Sequence, residues 1–202
     1  MQSIENKIID RIKKHSRGKI FFQSDFAAFG SPGAIRLALL RIEKSGLLVR
    51  VAHGIYVYPQ LNKLEWIDQK YILPTVDQIA HAIAKRDKTR IVPTASHALN
   101  LLGLSTQVPA NVVYITDGTA RKIKVGKGRG ILFKHSSDMR NFAYKSELLM
   151  LIVFALREIG EGNISDDQLT IIKEHFSKIT KHEFETDIQL IPLWIRKLLL
   201  TL

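Results

Sequence analysis

The sequence predicts an α+β protein in two parts, on three observations. Its first 58 residues run helix, short helix, longer helix and hairpin, each segment closed by a glycine or a cap residue. Four short β-forming runs then fall between residues 91 and 134, and apolar helical periodicity resumes after residue 144. The charge is also uneven. Residues 1–58 hold ten Lys/Arg against four Asp/Glu and residues 59–140 thirteen against six, whereas residues 141–202 hold seven against nine. A net +11 over 202 residues favours an anionic partner, nucleic acid first.

In the first part, Ile4, Ile8, Ile9 and Ile12 recur on one helical face, with Ser3 as N-cap and Gly18 beyond the end. Lys19 to Phe22 reads as a short extended entry. Ser24 is expected to cap a brief helix, Asp25 to Phe29, which Gly30 ends. Ser31-Pro32 opens a third helix, because serine at the cap and proline at the first position suit the unpartnered amides there. Ile35, Ala38, Leu39 and Ile42 form its buried stripe and Gly46 closes it. Leu47 to Val51 and Ile55 to Tyr58 are β-forming runs joined by Ala52-His53-Gly54, a hairpin with glycine where a positive φ is expected. This order predicts a winged helix-turn-helix over residues 1–58 and a separate domain over 59–202.

In such a module the third helix enters the major groove of duplex DNA and the rest grips phosphate. Its outward positions are Ser31, Gly33, Arg36, Leu37, Leu40, Arg41 and Lys44. Arg36 and Arg41 are the expected base readers, since a guanidinium spans the two acceptors of a guanine edge. Lys44, Arg50 and His53 are expected on phosphates, as are the amides of Gly33 and Ala34 at the helix start. Leu37 and Leu40 predict either contact with thymine methyl groups or packing against the second domain, the latter being the preferred reading.

The second part is expected to be a mixed α/β domain with a C-terminal helical part. Pro59 to Asn62 leaves the hairpin, Trp66 to Leu73 reads as a connecting segment, and a helix is expected over Thr75 to Lys85. Ile91 to Pro93 reads as a strand before a short helix, Ala95 to Leu102; Val112 to Thr116, Arg121 to Val125 and Gly130 to Lys134 read as strands. The last two enclose a glycine-rich tip and carry Arg121, Lys122, Lys124, Lys127, Arg129 and Lys134, with no acid from residue 118 to 137. No G-x-x-x-x-G-K-[ST] occurs there, so a basic hairpin able to touch nucleic-acid backbone or an acidic partner is expected rather than a nucleotide site. Helices are expected over Tyr144 to Ile159, Asp166 to Ile179 with Ser165 as cap, and Ile191 to Leu200.

Catalytic signals are weak. His175, His182, Glu183 and Glu185 lack a metal-ligand spacing and read as surface charge, and neither H-E-x-x-H nor G-x-S-x-G is present. Neither an enzyme nor a cofactor or metal is expected. The chain contains no cysteine, which excludes disulfides and thiolate metal sites. Its start is charged and lacks a continuous apolar run, and Leu148 to Leu156 is too short to span a bilayer, so a cytoplasmic location without membrane contact is expected.

Two stretches carry a family resemblance. The first is Phe21 to Ser31, followed by Ala38-Leu39-Leu40-Arg41-Ile42, Gly46 and His53-Gly54-Ile55-Tyr56. The second is Ala98 to Ala110, with its Leu-Gly-Leu-Ser-Thr-Gln-Val-Pro run, followed by Tyr114-Ile115-Thr116-Asp117-Gly118. The chain thereby resembles the AbiEi-like antitoxins of type IV, abortive-infection toxin–antitoxin systems over most of residues 1–140, and more faintly beyond, at Pro192-Leu193-Trp194. The resemblance implies a repressor that binds inverted repeats in its own promoter through Pro32–Ser45 and Leu47–Tyr58, and a second domain that neutralises a nucleotidyltransferase-like toxin. His53 stands where the family hairpin often has arginine, which implies a weaker grip there. The residues alone also leave open a stand-alone winged-helix regulator with an effector or dimerisation domain.

Overall fold

A computed structural model describes residues 2–62, 70–107, 110–126 and 128–202 of this α+β chain. It divides into two compact units. One comprises Met1–Ile83 together with Ile123–Gly130, the other Ala84–Lys122 together with Ile131–Leu202. The first unit thus runs past Tyr58 and takes in the tip of the basic hairpin.

The first unit begins with α1 (Ile4–Lys13), where the Ser3 hydroxyl accepts from the Asn6 amide and Ile8 and Ile12 are fully buried. After β1 (Ile20–Phe22) the chain turns through a 3-10 helix, Gln23–Phe29, rather than the expected Asp25 to Phe29. Ser24 is therefore inside this segment. The capping work falls to Asp25, whose carboxylate accepts from the Phe22 amide at 2.8 Å. Next comes α2 (Pro32–Lys44), with the Ser31 hydroxyl accepting from the Ala34 amide and proline at the first turn.

A hairpin of β2 (Val49–Ala52) and β3 (Ile55–Val57) follows, and β1 completes an antiparallel sheet in the order β1-β3-β2. Gly54 takes φ +68°, which its tight turn requires. Arg50 pairs with Tyr56 and Ala52 with Ile55, so Val51 is an extra residue, a bulge. The core joins Ile8, Ile12, Phe21, Phe26, Ile35, Leu39, Ile42 and Tyr56. The stripe expected on α2 is the buried one: Ile35, Ala38, Leu39 and Ile42.

Where the chain was expected only to leave the hairpin, β4 (Gln60–Leu61) pairs with β5 (Tyr71–Ile72), which lies in the expected connecting segment. The expected connecting residues 66–69 lie outside the described residues, as do Val108, Pro109 and Lys127. Two-residue strands leave no periodicity to read. Then α3 (Val76–Asp87) leads to β6 (Ile91–Pro93) and α4 (Ala95–Leu101). With β7 (Asn111–Thr116), β8 (Arg121–Val125) and β9 (Arg129–His135), β6 forms a sheet in the order β6-β7-β9-β8.

The core of the second unit is built on α5 (Glu147–Ile159), buried from Leu149 to Leu156 except at the half-exposed Leu151. It begins at Glu147, later than expected, because Ser146 is its cap and accepts from the Leu149 amide. The buried carboxylate of Asp187 accepts from the Lys145 and Ser146 amides at 2.8–3.0 Å. Asp187 ends α7 (Lys181–Asp187), a helix not expected from the sequence that follows α6 (Asp166–Phe176) and precedes α8 (Leu193–Leu199). Thr180 and Glu183 close a capping box at its start. Glu183, like His175, which bonds the Leu102 carbonyl at 3.1 Å, is thus a structural group rather than loose surface charge.

Candidate nucleic-acid interface

A helix whose buried stripe faces one way must present its other positions to solvent. On α2 those positions are Ser31, Gly33, Arg36, Leu37, Leu40, Arg41 and Lys44, all exposed. Beside them the β2–β3 hairpin raises Arg50 and His53. Between helix and hairpin lies an open cleft of about 450 Å³, lined by Gln23, Gly33, Arg36, Leu37, Leu40, Glu43, Arg50, His53, Gly54 and Tyr56.

Gln23 sets the width of this cleft. Its amide donates to the Gly54 carbonyl at 3.1 Å, and its side-chain nitrogen donates to the Pro32 carbonyl at 3.2 Å. One residue thus ties the hairpin turn to the start of α2. Its place in the sequence, between the entry strand expected over Lys19 to Phe22 and the cap expected at Ser24, carried no sign of this role.

The structure brings Gly33, Arg36, Leu40, Arg50 and His53 around one cleft, and Ser31 caps the helix at its mouth. Arg41 is not with them. Five residues beyond Arg36 on a 3.6-residue helix, it points about 140° away, and its guanidinium lies 3.7 Å from the Glu5 carboxylate on α1. Its expected pairing with Arg36 as joint base reader is therefore not the geometry found. Lys44 is exposed at the end of α2 and does not line the cleft. Leu37 and Leu40 are 51% and 43% exposed. Within the first unit they form an apolar wall of the cleft.

The electrostatics inside are mixed. Arg50 donates to His53 Nδ1 at 3.0 Å, so the two side chains form one polar rim. Arg36 makes no ion pair among the described residues. Burial pushes the Tyr56 phenol above its ordinary pKa; neighbouring Arg50 works against the shift and Glu43 adds to it.

The basic hairpin divides in two. Strand alternation puts Lys122 and Lys124 out to solvent and turns Arg121, Ile123 and Val125 the other way. Arg121 is not open surface, as it was expected to be: it donates to Asp87, with its guanidinium 5.5 Å from the centre of the Phe133 ring. Lys124 and Arg129 are exposed and belong to the first unit, Lys122 and Lys134 are exposed in the second, and Lys127 lies outside the described residues. The Gly126 amide, at the tip, donates to the Val51 carbonyl at 3.0 Å, the bulge residue of β2.

The motif that carries much of the family resemblance serves the fold. Asp117 Oδ1 accepts from the Arg90 amide and Oδ2 from Arg90 Nε, each at 2.8 Å. This hydrogen bonding holds the Asp117 carboxyl below the usual range. A side chain at Gly118 would meet Thr89 at 2.5 Å. After α4, Gly103 takes φ +73° and the Leu104 amide returns to the Leu99 carbonyl, a helix stop that accounts for the Leu-Gly-Leu run.

Among the described residues no group of three or more His, Asp or Glu side chains could hold a metal ion, and no helix is long and apolar enough to cross a membrane.

Fold and face together define an α+β protein that presents a cationic helix beside a short hairpin. The chain belongs to the DUF6088 family, a family of unknown function whose model matches residues 7–186. No curated protein matches it.

Proposed function

We propose that residues 1–58 form a winged helix-turn-helix that binds duplex DNA, with α2 in the major groove and the β2–β3 hairpin as the wing. One observation carries this reading: the outer face of α2, with Arg36 and Lys44, is exposed beside Arg50 and His53. A B-DNA major groove admits one α-helix, and its guanine edges suit arginine. Lys44, Arg50, Lys124 and Arg129 supply positive charge for flanking phosphates. Arg41, directed toward Glu5, takes a phosphate role rather than a base-reading one.

The wider role rests on the resemblance to type IV antitoxins. In that role the protein represses its own operon and the second domain neutralises a nucleotidyltransferase-like toxin. A nucleotidyltransferase gene immediately downstream is expected, and co-expression with it tests this half; absence of such a gene or failure to rescue growth leaves a stand-alone regulator.

A band shift of the full chain on its own upstream region tests the DNA half. Binding is expected to fall about a hundredfold between 50 and 200 mM salt if four phosphates are contacted. No shift at either salt would overturn the proposal.

A further inference from the structure

We infer that Leu37 and Leu40 read thymine methyl groups, which makes this chain selective for thymine beside the base contacted by Arg36. The inference rests on the DNA-binding reading above and names what the cleft recognises.

A DNA-reading helix gains nothing from exposed leucine unless an apolar group meets it. Exposure of 51% and 43% leaves apolar area on both side chains to be covered by a ligand. Three residues apart, they stand side by side on the helix, about 5–6 Å between Cβ atoms, and can meet methyls on neighbouring base pairs. In the major groove the C5-methyl of thymine is the apolar group that a base edge offers.

The charges around the cleft select the same occupant. Arg36 and Arg50 lie on its lining, suited to a guanine edge and a phosphate. Glu43 also lines it and repels phosphate, which leaves the interior to base edges. A second copy of the chain fits less well. An isologous contact through this face would set Arg36 and Arg50 against their own copies, and like charges oppose association.

The test uses the full-length protein and duplexes that it selects from a random-sequence pool. Each thymidine of a selected duplex is replaced in turn by deoxyuridine, which removes only the methyl. Loss of about fourfold in affinity per contacted methyl is expected at one or two positions. Leu40→Ala or Leu37→Ala is expected to bind the thymidine and deoxyuridine duplexes equally at its own position, whereas Leu40→Met keeps the preference. Both leucines are exposed, and thermal melting checks that each variant is folded.

Enrichment of a sequence with no response to deoxyuridine at any position would overturn methyl reading and leave DNA binding standing. Failure to enrich any sequence or to shift any duplex would remove both. A wild-type dimer that the alanine variants turn into monomer, without change in the uridine response, would make this face a self-interface and overturn the inference.

Discussion

The arginines of the two units have different fates. In the second unit Arg90 grips Asp117, Arg86 and Arg121 both reach Asp87, and Arg140 pairs with Asp138. In the first unit Arg36 faces the open cleft, Arg50 donates to His53 Nδ1 and to the Ala52 carbonyl, and Arg41 has a loose contact with Glu5. Arg17 is the exception there: it donates to the Pro59 carbonyl and lies over the Tyr58 ring. Counting lysines and arginines along the chain weighs both units alike. What distinguishes Arg86, Arg90, Arg121 and Arg140 from Arg36 and Arg50 is that a carboxylate already occupies the guanidinium.

If that contrast is right, changes in the second unit should cost stability, and changes on α2 should cost binding alone. The largest effect is expected from Asp187→Ala. It strips the Lys145 and Ser146 amides, at the entry to α5, of a buried charged acceptor and should lower unfolding free energy by about 3 kcal/mol in urea titration. Arg36→Ala should leave stability within about 0.5 kcal/mol, yet cost about 1–3 kcal/mol in affinity for a selected duplex and relax its preference at one base. Equal loss of stability in both variants would erase the distinction. Lys124→Ala should weaken all duplexes alike and reduce the salt dependence by about one charge.

The smallest effect concerns acid. The Asp117 carboxyl, held low by Arg90, titrates in the folded state below its unfolded value of about 3.9. Its contribution is therefore present above about pH 4 and lost as pH falls through the lower folded value. Both groups are partly exposed, so Asp117→Asn should cost no more than about 1 kcal/mol at pH 7. The gap from wild type should narrow in thermal melts as pH falls below about 4.

Local signals were readable where one segment decides its own shape. The isoleucine period of α1, the Ser31-Pro32 start of α2 and the Gly54 turn all matched the structure. The Thr180-x-x-Glu183 capping box was also legible in principle, although α7 went unread among its charged residues. Long-range partners were not legible. Nothing near residue 187 signals a link to residue 145, and nothing in Gln23 signals Gly54 and Pro32. Of the candidate site, helical periodicity found the exposed face of α2 but could not say that Arg41 leans to Glu5. Composition found the basic hairpin but could not see Asp87 take Arg121.

The return of residues 123–130 to the first unit bears on how this chain can be divided. A fragment ended at Tyr58 or Ile83 would lack the stretch whose Gly126 amide meets the Val51 carbonyl. Excision thus removes a piece of the excised part itself. Fragment studies of the N-terminal half would do better to supply residues 123–130 as a second peptide or by a grafted loop, so that any loss of affinity is not mistaken for a contribution from the other half.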